Sequence, residues 1–310
     1  MKTGLHYSDM KTRFYILILI FISSSVSVFA CDICGCSTGN YFIGPIPQFN
    51  KHFVGVRYTS RSLNTILNAD RNQFSKDFYQ TAEWLGGWKL KEKWQLFIFV
   101  PYNINHSVTD DGDKNNNGFG DITVISNYSL LDKFTISKDS SIINQKIWIG
   151  SGMKLPSGKF SVDENELISS ANNQPGTGSI DFLLNAIYSL TVKNWGINCN
   201  VNYKFNQSAD DYKFGNRFNA STFVFRSIHF SKVIISPNIG LLFENLNSNK
   251  IHNQTIEDTG GSTFLSAFGI ETHFKKIAVG GNIQFPIAEN LSGKQTTTII
   301  KGMLHLSYMF

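Results

Sequence analysis

The sequence has few charged residues and few prolines, and beyond its N-terminus it has no long apolar run. Asp, Glu, Lys and Arg make up 16% of its 310 residues, whereas about 25% is usual in soluble domains. Its mean hydropathy is −0.12, which is too low for a bundle of transmembrane helices that each need about 20 apolar residues in a row. The net charge of +5 is too weak to indicate a nucleic-acid partner.

Aromatic residues, by contrast, are abundant. They make up 14% of the chain, and 26 residues are Phe. In a membrane β-barrel one face of each strand contacts lipid and the other contacts water, so the average hydropathy stays near zero while aromatic residues accumulate. The composition therefore favours an all-β membrane barrel.

The first thirty residues indicate a cleaved secretory signal. Lys11 and Arg13 precede the apolar run 14–22, and small residues lead to a cleavage position after Ala30. An uncleaved anchor is the alternative, but this run is far shorter than the roughly 20 residues that span a bilayer. The predicted organisation is a signal peptide at 1–30, a cysteine-containing periplasmic or lumenal segment at 31–51 and a barrel at 52–310.

Period-two alternation runs through most of the chain after residue 52. In "WGINCNVNYKF" (195–205), Trp, Ile, Cys, Val, Tyr and Phe alternate with Gly, Asn and Lys without a break, as on a strand with one apolar and one polar face. About twelve such segments predict a transmembrane antiparallel β-barrel with an up-and-down meander. Two are irregular: "WQLFIFVPY" (94–102) is apolar on both faces, and "FGNRFNASTFVFRS" (214–227) changes its apolar face midway.

The connections between these segments alternate in length. Tight turns are expected at 91–93, 192–194, 231–232 and 275–276, with a longer turn at 132–142. Long polar loops are expected at 61–78, 106–117, 157–178, 246–262 and 286–296. Outer-membrane barrels have short periplasmic turns and long outer loops, so this order predicts that both termini are periplasmic.

The C-terminus resembles the signal by which bacterial outer-membrane barrels are recognised for assembly. Leu304, Leu306, Tyr308 and the terminal Phe310 form the apolar face of a last amphipathic strand. The expected partners are therefore outer-membrane lipid and the barrel-assembly machinery, with a small-molecule solute as cargo. A secreted β-sandwich would not need strands this long or loops this unequal.

Three motifs resemble one family of outer-membrane transporters, which is named for a phenol-degradation (meta-pathway) component. They are "GFGDITVISNYSLL" (118–131), "IGSGMKLPSGKF" (149–160) and "GTGSIDFLLNAIYSL" (176–190), and the resemblance covers roughly Phe53 to Phe310. It implies passage of small, often hydrophobic molecules across the outer membrane. It does not imply that phenol is the substrate of this chain.

The residues of these motifs also have a structural explanation. Pro156 and Gly158 would end a strand, since Pro lacks the N–H that a β-ladder uses, and Gly176 would turn the chain back. For Asp121 and Asp181 we expect solvation at the barrel rim or capping of a turn.

The polar faces of the predicted strands carry charges of both signs. About twelve strands lie between small filled barrels and open porins, so a narrow or gated passage is expected. His273 and His305 are expected to be neutral histidines of the lumen. No Ser/His/Asp order or carboxylate pair indicates an enzyme. The lumen candidates are Arg57, Glu83, Lys89, Lys146, Lys154, Arg217, Glu244, Glu271, His273, Lys301 and His305.

The stretch "DDGDKNNNGFGD" (110–121) invites a calcium interpretation. Asp113, Asn115, Asn117 and Asp121 stand at the spacing of oxygen ligands in an EF-hand-type loop. However, Val124 occupies the position of the bidentate Glu, and a polar outer loop would have the same composition.

Three of the four cysteines, Cys31, Cys34 and Cys36, fall within six positions. After cleavage at Ala30, Cys31 would be the first residue, and three alternatives remain open. In the first, Cys31 is acylated. In the second, the cysteine thiolates bind a thiophilic metal ion such as Cu(I). In the third, two of the cysteines form a structural disulfide, as is usual outside the cytoplasm. A barrel that is preceded by such a cysteine cluster resembles Bacteroidetes-like sequences.

The favoured function is passive or gated transport of a small molecule through the barrel, and the resemblance includes hydrophobic solutes among those expected. One alternative is a metal-handling outer-membrane protein that uses the N-terminal cysteines. Another is a closed structural barrel.

Overall fold

The computed structural model describes residues 51–66, 74–110, 112–137, 142–161 and 173–310. The predicted signal peptide at 1–30 and the cysteines Cys31, Cys34 and Cys36 lie outside these residues. Within the described ranges, no helix is long and apolar enough to cross a membrane.

The described chain is almost entirely β-strand. One short 3-10 helix, Ser292–Lys294, precedes the last strand. The strands are β1 (Phe53–Ile66), β2 (Phe74–Lys91), β3 (Trp94–Thr109), β4 (Gly112–Phe119), β5 (Thr123–Ile136), β6 (Ile142–Lys154), β7 (Asp181–Val192), β8 (Trp195–Phe205), β9 (Ser208–Ala209), β10 (Tyr212–Lys213), β11 (Arg217–Arg226), β12 (Ile228–Phe230), β13 (Val233–Leu246), β14 (Lys250–Ile251), β15 (Gln254–Thr255), β16 (Gly261–Phe274), β17 (Ile277–Leu291) and β18 (Thr296–Met309).

Twelve of these strands form a closed antiparallel barrel with up-and-down order. Each strand pairs with the next one around the wall, and β1 closes the barrel by pairing with β18 from Phe53↔Met309 to Thr65↔Thr296. The barrel strands are β1, β2, β3, β5, β6, β7, β8, β11, β13, β16, β17 and β18. The predicted all-β barrel of about twelve strands is confirmed.

The two ends of the barrel differ. At the end that we call the turn end, short connections join β2 to β3, β7 to β8 and β16 to β17. The first described residues and the C-terminal residue lie there as well: the Phe310 amide donates to the His52 carbonyl at 2.9 Å, and the two rings stack. The opposite end, the loop end, carries the connections between β6 and β7 and between β13 and β16.

Several predicted long loops are wrong in extent, because the strands continue well into them. β1 runs to Ile66 and β2 starts at Phe74, so residues 61–66 and 74–78 are paired strands. In the same way β4 pairs with β3 through the predicted loop 106–117, and β17 continues to Leu291 through part of 286–296. Once a strand leaves the apolar layer both of its faces become polar, and the alternation that marks it in sequence disappears.

The outward face of the barrel is apolar. On β1, Val54, Val56 and Tyr58 are exposed, while the residues between them are half-buried or buried. The same alternation exposes Leu304, Leu306 and Tyr308 on β18. A contiguous apolar exterior of this size is what a lipid-facing barrel needs.

The interior contains an apolar cluster as well as polar groups. Phe97 and Phe99 of β3 are buried, and the Phe97 ring lies 5.9 Å from that of Phe53. On β11, Phe223 and Phe225 are buried too. The two irregular segments of the sequence are therefore strands of regular alternation, in which some of the inward positions are apolar.

A small second sheet covers part of the loop end. It consists of β9, β10, β14 and β15, and its buried core is Tyr212 and Phe214, against which Phe160, Ile251 and Ile256 pack. This sheet holds the connections 206–216 and 247–260 together above the barrel wall.

Candidate functional site

The barrel interior holds charged side chains that are buried and paired with one another. Arg57 on β1 and Glu83 on β2 are direct cross-strand partners. They form a hydrogen-bonded ion pair in which both side chains are almost fully buried. The Arg57 guanidinium also lies over the Phe99 ring, 5.8 Å from its centre. The aromatic cluster and this ion pair are therefore in contact.

A second ion pair crosses the interior. Glu244 lies on β13 and Lys301 on β18, with β16 and β17 between them in the wall. Three strand spacings correspond to about 14 Å along the wall. Nevertheless, the Lys301 ammonium group donates to the Glu244 Oε1 atom, and Arg61 Nη1 lies 3.5 Å from the Glu244 Oε2 atom. These side chains can meet only by reaching across the lumen.

Glu271 on β16 and His305 on β18 meet over a glycine. Both residues are direct partners of Gly280 on the intervening strand, and Nε2 of His305 lies 2.8 Å from Oε2 of Glu271. A Cβ atom at residue 280 would lie 1.9 Å from that carboxylate oxygen, so the contact requires glycine. On the other side Nε2 of His273 lies 3.6 Å from Oε1 of Glu271. The two histidines do share one wall of the lumen.

These groups do not form a metal centre. Among the residues that the structure describes, no group of three or more His, Cys, Asp and Glu side chains is arranged to hold a metal ion. The Glu271 carboxylate is instead bound by the His305 imidazole, a contact that fixes the position of both groups.

The three sequence motifs converge on Lys154, at the loop end of β6. The Lys154 Nζ atom lies 2.7 Å from Oδ2 of Asp121 and 2.8 Å from Oδ2 of Asp181. The backbone amides of Gly158 and Thr177 both donate to Asp121 at 2.9 Å. Asp121 comes from the first motif, Lys154 and Gly158 from the second, and Thr177 and Asp181 from the third. Of the two alternatives expected for these aspartates, rim solvation is wrong, since both are buried in an ion-paired site; capping of the chain reversal agrees with the two backbone amides that donate to Asp121.

Gly158 and Gly176 allow this site to close. A Cβ atom at residue 176 would lie 2.6 Å from the Gly158 carbonyl carbon, so the two backbones touch directly. Their contact brings the two ends of the connection between β6 and β7 together over Asp121.

The remaining lumen candidates lie in different settings. Arg217 is buried at the loop end of β11, where it is the direct cross-strand partner of Lys204 of β8. Lys146 is half-buried and forms an ion pair of 3.4 Å with the more exposed Asp132. Lys89 is half-buried near the turn end of β2.

The residues of the predicted calcium loop lie on a strand. Asp113, Asn115 and Asn117 alternate along β4, where they pair with Val108, His106 and Ile104 of β3. The Asn115 Oδ1 atom is 2.7 Å from Nδ1 of His106. The fourth residue, Asp121, belongs to the Lys154 site. An extended hairpin cannot curl its side chains around one point, so residues 112–119 do not form the EF-hand-type loop that the spacing suggests, nor the polar outer loop that is its alternative.

Sequence reasoning missed several interior groups. Arg61 and Asp77 are buried, yet both fall inside the predicted loop 61–78. Arg61 lies four positions after Arg57, so continued alternation along β1 would have placed it on the inner face. Gly280 could not have been found this way, because its role depends on which strands flank it.

The comparisons with known proteins support the fold. No protein-family model matches the chain, and no curated protein matches it. The solved structure of the COG4313 outer membrane channel from Pseudomonas putida F1 is similar at 15% identity and a TM-score of 0.62, over 88% of this chain and 99% of that chain. The β-domain of the Bordetella autotransporter BrkA has 9% identity and a TM-score of 0.47, over 84% of this chain and 100% of that chain.

The likeness to the Pseudomonas channel shows that this chain has the fold of an outer-membrane β-barrel. The resemblance to the phenol-degradation transporter family remains a prediction, since no family model matches.

Proposed function

We propose that the chain is a gated channel of the bacterial outer membrane that admits small molecules through its barrel. The apolar exterior and the closed twelve-stranded wall support a membrane location. The similar fold of a protein described as an outer membrane channel supports passage through the lumen. We place both termini on the periplasmic side, as the short connections at the turn end suggest.

The observation that carries this proposal is the ion pair between Glu244 and Lys301. In a permanently filled barrel, apolar side chains would pack the interior best. The reason is that the free-energy cost of removing two charges from water commonly exceeds the energy of their attraction. A link between two charged side chains that reach across the lumen can separate and re-form, whereas a backbone plug cannot. We therefore infer that it closes the passage in this structure and opens it when it separates.

The Lys154 site supports the same function. It ties the two described ends of the connection between β6 and β7, residues 155–161 and 173–180, to the barrel rim through Asp121 and Asp181. Entry from the loop end is then controlled by the lumen groups.

The solute is a small molecule. The hydrophobic character implied by the family resemblance finds support in the interior aromatic cluster of Phe53, Phe97 and Phe99. The charged groups beside it favour a solute that also carries a polar group.

A closed structural barrel is the second candidate, because the paired interior side chains are buried in this structure. Liposome swelling separates the two. In a panel of small sugars, amino acids and organic acids, vesicles that contain the folded protein should swell faster than vesicles that contain heat-denatured protein for at least one class of solute. Equal rates for every solute tested would favour the structural barrel and overturn the channel.

A further inference from the structure

We propose that the lumen selects small organic anions, and that the Glu244 carboxylate occupies their binding position as an internal counter-ion. This inference rests on the proposed channel function and names its substrate class. The groups that form the site are Arg61, Lys301 and Glu244.

The argument begins with two cations that lie side by side. Arg61 and Lys301 are direct partners in the pairing of β1 with β18, and both are buried. Like charges that lie directly opposite on neighbouring strands repel each other, and burial strengthens the repulsion because the effective dielectric constant falls. Such a pair therefore requires an anion between the two groups.

Only one carboxylate contacts both cations among the described ion pairs. Glu244 reaches across the lumen and binds Lys301 with one oxygen and Arg61 with the other. One negative charge between two positive charges leaves an excess of one positive charge. Arg217 adds to this field from β11, where its partner Leu246 lies two residues from Glu244.

A second observation indicates that the site has unused binding capacity. The Nε atom of Arg61 is buried and has no hydrogen-bond partner, although buried donors are almost always paired. The other guanidinium contacts of Arg61 are long, at 3.4 Å to Thr298 Oγ1 and 3.5 Å to Glu244. A ligand carboxylate with its two oxygens matches a guanidinium group better than this arrangement does.

The excess of positive charge is confined to the site of Arg61, Lys301 and Glu244 and does not extend to the barrel interior as a whole. Six buried cationic side chains of Arg and Lys face six buried Asp and Glu side chains in the described residues, so the total is balanced. Glu83 is bound by Arg57, and Asp121 and Asp181 are bound by Lys154. The twelve residues are Arg57, Arg61, Lys154, Lys204, Arg217, Lys301, Asp77, Glu83, Asp121, Asp181, Glu244 and Glu271.

These contacts define a displacement mechanism. An entering carboxylate takes the position of the Glu244 carboxylate between Lys301 and Arg61, and Glu244 moves back toward its own wall. The anion then leaves toward the turn end, and Glu244 returns. A cation would meet two like charges at the same point, and a neutral solute could not replace the counter-ion.

The test is the reversal potential of the purified barrel in planar bilayers under a gradient of KCl and then of potassium benzoate, a probe carboxylate. We expect anion permeability to exceed cation permeability in the native protein. Lys301→Met leaves one cation for Glu244, and the loss of one nearby charge should lower the anion-to-cation permeability ratio roughly fivefold. Glu244→Gln should raise it.

Lys133→Met and Glu257→Gln are the matched controls, since both residues are exposed, neither belongs to the site of Arg61, Lys301 and Glu244, and the charge changes are the same. Should Glu244→Gln fail to fold because its two cations lose their counter-ion, the Lys301→Met result still decides the matter. A native channel that prefers potassium, or a ratio that moves no more than in the controls, would overturn the inference while leaving the channel intact. Absence of current in every variant would instead overturn the channel itself.

Discussion

Glu244 and Lys301 are bound to each other across the barrel interior, although two strands of the wall separate the strands that carry them. Residues on neighbouring strands contact each other in any β-barrel, but a contact over three strand spacings requires that both side chains leave the wall. This relationship places two paired charges inside the lumen, and it is the basis of the test of gating by single-channel recording.

Gly280→Ala should destabilise the barrel by about 1–3 kcal/mol, the usual cost of overpacking. The new Cβ atom would lie 1.9 Å from Oε2 of Glu271 and 2.7 Å from Nε2 of His305, so the contact between these two groups must break. The free energy of unfolding in denaturant, measured on protein refolded in detergent, checks this. Gly302→Ala is the control, since a Cβ atom there would meet only the Asn282 carbonyl oxygen at 3.7 Å; an equal loss in both variants would contradict the assignment.

Lys154→Met should cost about 3–5 kcal/mol, because it leaves Asp121 and Asp181 buried without their shared cation. Limited proteolysis of the connection between β6 and β7 should become faster at the same time, since the Lys154 site ties that connection down. Unfolding midpoints and cleavage rates measure the two effects.

The control for this variant is Lys146→Met. Lys146 pairs with Asp132 where both side chains are partly exposed, and such pairs contribute less than about 1 kcal/mol. If removing either lysine changed stability by the same amount, the Lys154 site would not be the anchor that we describe.

Phe310→Ser should reduce the amount of barrel in the outer membrane but leave the stability of the folded barrel nearly unchanged. The Phe310 side chain is 55% exposed, so its loss removes little buried area, while the predicted assembly signal loses its last aromatic residue. Quantifying the protein in outer-membrane fractions, beside refolding of the same variant in detergent, separates the two effects. Normal membrane levels, or a refolding defect as large as the membrane defect, would argue against a role in recognition.

Cys34→Ser combined with Cys36→Ser should leave solute passage unchanged, because the charged groups that we propose to control passage lie in the barrel strands. Liposome swelling with the native protein and the double variant tests this. The intact mass and metal content of the same samples then decide among acylation at Cys31, a bound thiophilic ion and a disulfide. A channel that loses passage together with its metal would shift the function toward metal handling.

Much of the fold could be predicted from the sequence, because alternation reports directly which side of a membrane strand faces lipid. "WGINCNVNYKF" is β8 to the residue. The prediction failed where the environment stopped alternating: Arg61 and Asp77 lie where β1 and β2 extend beyond the apolar layer, and they were assigned to a loop for that reason. Continued alternation from Arg57 would have placed Arg61 on the inner face, but the burial of both side chains depends on the closed barrel around them, which the local sequence does not encode.

The types of the site residues could be predicted from the sequence, but the contacts between their side chains could not. Glu244, Lys301, Glu271 and His305 were all expected on inner faces, and the structure places them there. Which of them meet depends on strand number, register and the width of the barrel, since a pair such as Glu244 and Lys301 is 57 residues apart in sequence. The grouping of the three motifs around Lys154 is likewise a result of register, through the pairing of Lys154 with Asp181.

The most direct test of a gated lumen is single-channel recording on the native protein and on a variant that combines Glu244→Gln with Lys301→Met. This variant removes the link across the lumen but keeps the sum of charges among Arg61, Lys301 and Glu244 unchanged, so its effect on gating is separate from its effect on selectivity. We predict brief openings in the native protein and long-lived openings in the variant. Equal open times in the two proteins, or silence in both despite correctly folded barrels, would contradict the account.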